Sequence, residues 1–187
     1  MPIQTTQNKK GVAYFITFTC FQWLNLIQIS NSYNAFYKWF DYLKTNNYPL
    51  LAYVIMPNHF HGIIFIPLNS TKNINTIIAN AKRFIAYDII KNLKEQNAIN
   101  LLSKLEKAVT EKEKAKKQKH KVFKTSFDCK EILNMDMFFT KLDYIHQNPC
   151  KGKWNLANEY IDYRYSSAKY YFKNETDDYL THFRDVL

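Results

Sequence analysis

Four side chains in this sequence have the types and the spacing for chemistry at phosphorus. His59 and His61 stand two apart in the stretch LAYVIMPNHFHGIIFIP, residues 51–67. Side chains of a strand alternate between its faces, so the two imidazoles share one face and Phe60 takes the other. A rigid strand can thus offer two neutral nitrogens to one divalent ion. There are five His in all, at 59, 61, 120, 146 and 182, with no Cys-x-x-Cys and no His-Glu-x-x-His. That argues against a structural zinc site or a zincin. A hard ion such as Mg2+ or Mn2+ would want an oxygen ligand as well. The segment YIHQN offers one, because Tyr144 and Asn148 are four apart and share a helical face. The Asn148 amide oxygen would reach the ion from the last turn, with the Tyr144 phenol one turn earlier. A phenol beside an ion-bound phosphodiester is a nucleophile. Its attack would leave a strand joined through a phosphotyrosine, and a second strand's 3′-hydroxyl could reverse the step without ATP. Each residue also has a plainer reading: a solvated His pair, a packing Tyr among 14, and a helix C-cap at Asn148 before Pro149.

The elements that must position these groups follow from hydrophobic period and punctuation. VAYFITFTCF, after Gly11, alternates as a strand that is apolar on both faces, hence central. Ile29 to Leu43 reads as a helix, with Ser30 or Ser32 as cap. Leu51 to Met56 and Gly62 to Ile66 read as two strands joined by a tight turn at Pro57 and Asn58. Ile74 to Leu93 is a second long helix whose buried stripe is Ile74, Ile77, Ile78, Ala81, Phe84, Ile85 and Ile89. Lys82 and Arg83 lie beside that stripe, where phosphates could run along a basic face; a merely solvated face is equally consistent. A short strand falls within Val122 to Ile132. Met135 to Gln147 is the third helix, started by Asn134 or Asp136 and stopped by Pro149. The order is that of an α+β, ferredoxin-like antiparallel sheet with helices on one face, interrupted by a lysine-rich insertion at 97–121, a helical arm or partly disordered lobe, and closed by a C-terminal tail. The uncovered face is left for a ligand.

Composition bounds the partners. With 187 residues and 47% hydrophobic content, one domain is expected. Formal net charge is +10, which implies a polyanionic partner, although residues 104–121, with eight Lys and three Glu, carry half of it. No apolar run approaches the length of a membrane span, and no signal peptide is apparent. Cys20, Cys129 and Cys150 are scattered, which suggests a reducing compartment and a cytoplasmic protein.

At these residues a family resemblance appears. MPNHFHGII resembles the histidine-hydrophobe-histidine motif of the IS200/IS605-like single-tyrosine transposases. YIHQNPCKGKW followed by YRYSSAKYY is similar to the REP-associated branch, with its Tyr-Ile-x-x-Asn-Pro segment and Tyr-Ser-Ser tail. The resemblance implies an HUH-type endonuclease and transposase acting on single-stranded or hairpin DNA with Mg2+ or Mn2+. It makes His59, His61 and Asn148 the metal ligands and Tyr144 the nucleophile. Arg164, Ser166 and Ser167 match a family patch that packs over the site or holds DNA. Lys151 and Lys169, in the same segments, join Lys82 and Arg83 in the expected DNA-binding set. Family members act as dimers or monomers, so the tyrosine could serve its own His pair or a partner's. The main rival is a non-catalytic module that binds hairpin or single-stranded nucleic acid.

Overall fold

Strand β1, Val12–Thr19, is built from β-branched and aromatic residues and buries both faces. The computed structural model describes residues 7–152 and 154–187; residues 1–6, the start of the polar N-terminal stretch, lie outside them. A turn at Phe21–Trp23 leads into the short helix α1, Leu26–Ile29, and then α2, Tyr33–Thr45. The sequence had suggested one helix from Ile29 to Leu43. The break falls at Ser30–Ser32, where Ser30 Oγ donates to Leu26 O (2.6 Å) and lies 2.8 Å from Ser32 Oγ, and Asn31 turns left-handed at φ 50. Ser32 is the N-cap residue of α2, as expected, but its side chain makes no cap hydrogen bond and bonds within the kink instead, because short hydroxyl side chains compete with the helical ladder.

Strands β2, Leu50–Ile55, and β3, His59–Ile66, form the expected hairpin, with Met56 N–H donating to His59 O (2.8 Å). Helix α3, Ile74–Glu95, is capped by Asn73. The insertion holds two short helices, α4, Ile99–Lys107, and α5, Glu111–Lys114. It folds back on the core: Leu105 is fully buried, Lys121 N–H donates to Leu105 O (2.9 Å), and Lys121 pairs with Glu113 (3.0 Å). Strand β4, Asp128–Glu131, precedes α6, Met135–Gln147, whose N-cap is Asn134, accepting from Met137 N–H at 2.8 Å. A 3-10 turn at Asn148–Cys150 follows α6, and α7, Ala168–Phe172, lies in the tail.

Among the described residues, the four strands make one antiparallel sheet in the order β2-β3-β1-β4. Tyr14, Ile16 and Phe18 of β1 and Phe60 of β3 join α2 and α3 in the larger core. Phe84 is an exception to the expected α3 stripe, being exposed at the groove between α2 and α3. Gly62 is required beside Phe60: a Cβ there would come within 2.7 Å of the Phe60 ring. The other face carries Ala13, Phe15, Leu51, Val54 and Ile63, covered by Phe138, Leu142 and Ile145 of α6. That face is thus only partly open, as α6 and the tail occupy much of it. The tail also closes the free edge of β2, where Ile55 N–H donates to Tyr165 O (2.9 Å) and Ser167 N–H to Tyr53 O (3.0 Å).

Candidate active site

The open end of the second face is a cleft of about 700 Å3 that contains Thr17, His59, His61, Tyr144 and Asn148. Three elements meet there. β3 places the two imidazoles on one face, each only 4% exposed, with Phe60 in the opposite core. β1 lies beside it in register, pairing Thr17 with His61 and Thr19 with His59. The buried stripe of α6 points its neighbouring stripe, which carries Lys141 and Tyr144, into the cleft.

Hydrogen bonds fix the outer nitrogen of each imidazole. Asn58 Nδ2 donates to Trp23 O (2.7 Å), which turns Asn58 Oδ1 toward His59 Nδ1 at 2.7 Å. An amide oxygen can only accept, so Nδ1 carries the proton and His59 Nε2 presents its lone pair. That lone pair faces another acceptor, Asn148 Oδ1, at 3.3 Å. His61 Nδ1 lies 2.6 Å from Thr17 Oγ1, and with the proton there its Nε2 also offers a lone pair. His61 Nε2 is buried with no hydrogen-bond partner among the described residues. Burial, then His59 and the Lys141 ammonium, hold His61 well below the usual imidazole range, so it stays neutral. His59 Nε2 and Asn148 Oδ1 thus lie side by side, and the His61 ring centre is 4.8 Å from that of His59. His59, His61 and Asn148 could hold a divalent ion; no three His, Cys, Asp or Glu cluster among the described residues, because the third donor is an amide.

Tyr144 stands beside them in the same chain. Its ring centre is 5.0 Å from that of His61 and 5.9 Å from that of Phe15, both edge to face. The residue is 44% exposed, so its phenol opens to the cleft. Lys141 Nζ is 6.0 Å from the Tyr144 ring centre and 5.0 Å from that of Phe15.

The expected DNA-binding residues are distributed differently. Lys82 points under the cleft wall: its Nζ donates to the carbonyls of Lys124 (2.7 Å), Thr125 (3.1 Å) and Ser126 (3.3 Å). Burial brings its ammonium down to about 8. It is a strut for that loop rather than an open phosphate contact. Arg83 lies over the Phe84 ring in the groove between α2 and α3, on the far side of the sheet. Lys151 and Arg164 are exposed outside the cleft lining, and Lys169 is half-buried in α7. Ser166 and Ser167 are buried, with Ser166 Oγ accepting from Ala168 N–H at 3.2 Å.

Ser167 is the clamp that holds the tyrosine helix to the sheet. Its Oγ accepts from Tyr53 N–H (3.0 Å) and lies 2.8 Å from His146 Nε2. Burial pulls His146 down to about 4. The unfolded imidazole titrates near 6.5, so between these values the unfolded chain binds the extra proton. Stability is therefore full above about pH 6.5 and lost as pH falls toward 4. The loss from this group is about 3 kcal/mol, with His61 acting in the same sense. Chemical denaturation from pH 7.5 to 4.5 should show the decline, and His146→Gln should flatten it.

No protein-family model matches the sequence, and no curated protein matches it. A solved structure does: a REP-associated tyrosine transposase bound to a REP hairpin, with a TM-score of 0.59 over 89% of this chain and 82% of that one. The chain has the fold of that transposase. Sequence identity is 17%, so the likeness shows fold, and the site rests on its own geometry.

Several cleft residues escaped the sequence reading. Lys141 carried a signal, three residues before Tyr144 on one helical face. Thr17, Lys124 and Lys130 reach the cleft through the pairing of β1 and the loop before β4, which no single segment reveals.

Proposed function

We propose that this protein is a metal-dependent single-stranded DNA endonuclease and transposase, acting on hairpin DNA through a covalent 5′-phosphotyrosine. The gathering of His59, His61 and Asn148 in one cleft beside the exposed Tyr144 carries this reading. The likeness in fold to a tyrosine transposase solved with a REP hairpin supports it, as does the net charge of +10. Mg2+ or Mn2+, held by the two imidazoles and the Asn148 oxygen, would polarise the phosphodiester and offset its charge.

The chain's own residues account for the rest. Thr17 and Asn58 hydrogen-bond the Nδ1 atoms and so orient the two imidazoles for a cation. The Tyr144 phenol attacks phosphorus, the bond to the 3′-oxygen breaks, and the phenolic proton passes to water while the leaving oxygen takes one up. A second 3′-hydroxyl reverses these steps and rejoins the strand. Tyr144 and His61 lie within one chain, ring centres 5.0 Å apart, which supports cleavage by a monomer. Among the described residues no helix is long and apolar enough to cross a membrane.

The test is incubation with single-stranded oligonucleotides that fold into imperfect hairpins, with Mg2+ or Mn2+. A denaturant-resistant protein–DNA adduct that maps to Tyr144 by mass spectrometry is expected, and chelation should prevent it. Metal-independent binding to many hairpins without any adduct would replace this reading by a non-catalytic hairpin-binding protein.

A further inference from the structure

Trp23 takes no part in the chemistry above, yet it is held at the mouth of the cleft in an unusual way. It is 51% exposed. It and Gln22 are consecutive non-glycine residues in the left-handed region, at φ 59 and φ 51. Side chains rarely adopt that backbone, and such strain gathers where a side chain must be aimed. Asn58 does the aiming: its Nδ2 holds Trp23 O at 2.7 Å while its Oδ1 holds His59 Nδ1 at 2.7 Å. One amide therefore sets the indole in register with an imidazole of the site, and the two ring centres lie 5.8 Å apart.

The loop before β4 completes the arrangement. Lys124 Nζ sits 4.4 Å from the centre of the Trp23 ring. Its backbone is pinned on both sides, the N–H to Thr19 O (2.9 Å) and the carbonyl by Lys82 Nζ (2.7 Å). A ring that merely shielded His59 would bury itself in doing so, whereas about half of Trp23 stays open to solvent. A half-open indole with an ammonium over its ring, 5.8 Å from the His59 ring centre, matches a base and its neighbouring phosphate. Every base has a π-face, so stacking there tolerates any sequence.

We propose that Trp23, with Lys124, is a stacking platform for the nucleobase next to the scissile phosphate, and that it sets where the strand lies across the site. This rests on the reading of the cleft as a single-stranded DNA site. Lys82 acts through Lys124 as a positioning residue.

The test measures binding without cleavage, by fluorescence anisotropy in EDTA. The probes are a labelled oligothymidylate of about twelve nucleotides and an abasic strand of equal length. The wild type should prefer the strand with bases. Trp23→Ala should lose about tenfold in affinity for oligothymidylate and little for the abasic strand, and Trp23→Phe should keep most of the preference. An unchanged preference in Trp23→Ala, no preference in the wild type, or equal losses on both strands would each overturn the platform. The two readings fail separately. A Tyr144 adduct with an unaltered preference in Trp23→Ala sinks the platform alone. A lost preference without an adduct from any hairpin sinks the nuclease and keeps the platform.

Discussion

Tyr144→Phe abolishes the protein–DNA adduct and leaves the fold and hairpin affinity in place. The substitution removes one oxygen atom. The ring keeps its edge-to-face contacts with His61 and Phe15, and α6 keeps its buried stripe of Phe138, Leu142 and Ile145. Because Tyr144 is 44% exposed, stability should change by no more than about 0.5 kcal/mol. Cleavage should fall by about ten-thousand-fold or more, the scale seen when a nucleophile is deleted from an otherwise intact site. Thr17 Oγ1, the hydroxyl hydrogen-bonded at the imidazoles, is engaged with His61. Denaturing gels of the adduct and anisotropy of a labelled hairpin measure the two quantities. If cleavage persists in the Phe variant, water is the nucleophile and the cleft belongs to a hydrolase.

What the sequence could say about this site depended on how local each signal was. The His-x-His spacing and the alternation of β3 were sufficient to put both imidazoles on one face, because strand geometry is a property of consecutive residues. The same holds for α6, where Asn134, the apolar spacing and Pro149 mark a helix whose observed bounds coincide with the expected ones. Signals that need a partner were silent. Thr17 meets His61 only through the β1–β3 register, and Lys82 finds its three carbonyls 42 to 44 residues away. Lys82 therefore read as a surface cation. The insertion holds the helices α4 and α5, but the contacts that fold it against the core, Leu105 and the Glu113–Lys121 pair, do not show in its run of lysines. Phe84 fell at the border of the α3 stripe, between the buried Ala81 and Ile85, where helical period cannot decide the side.

His61→Ala should remove metal binding at little expense in stability. In the chain without metal, the His61 imidazole is buried and its Nε2 has no partner among the described residues. An unsatisfied buried polar atom costs about 1–3 kcal/mol, so losing it offsets the contacts that leave with the ring. Metal-free His61→Ala should then melt close to the wild type. Mn2+ separates them. A ligand that binds only the folded chain stabilises it by about 2.7 kcal/mol at a hundred times its dissociation constant, so the wild type should gain several degrees in melting temperature. His61→Ala should gain almost nothing, and its cleavage should fall with it. Thr17→Val tests the same point one shell out. It keeps the shape beside His61 but removes the hydroxyl at 2.6 Å that orients the ring. Loss of such a partner lowers metal affinity by about 10- to 100-fold, so its melting response should shift to higher Mn2+. An equal response in all three proteins would mean that the ion binds elsewhere and that His59, His61 and Asn148 do not hold it.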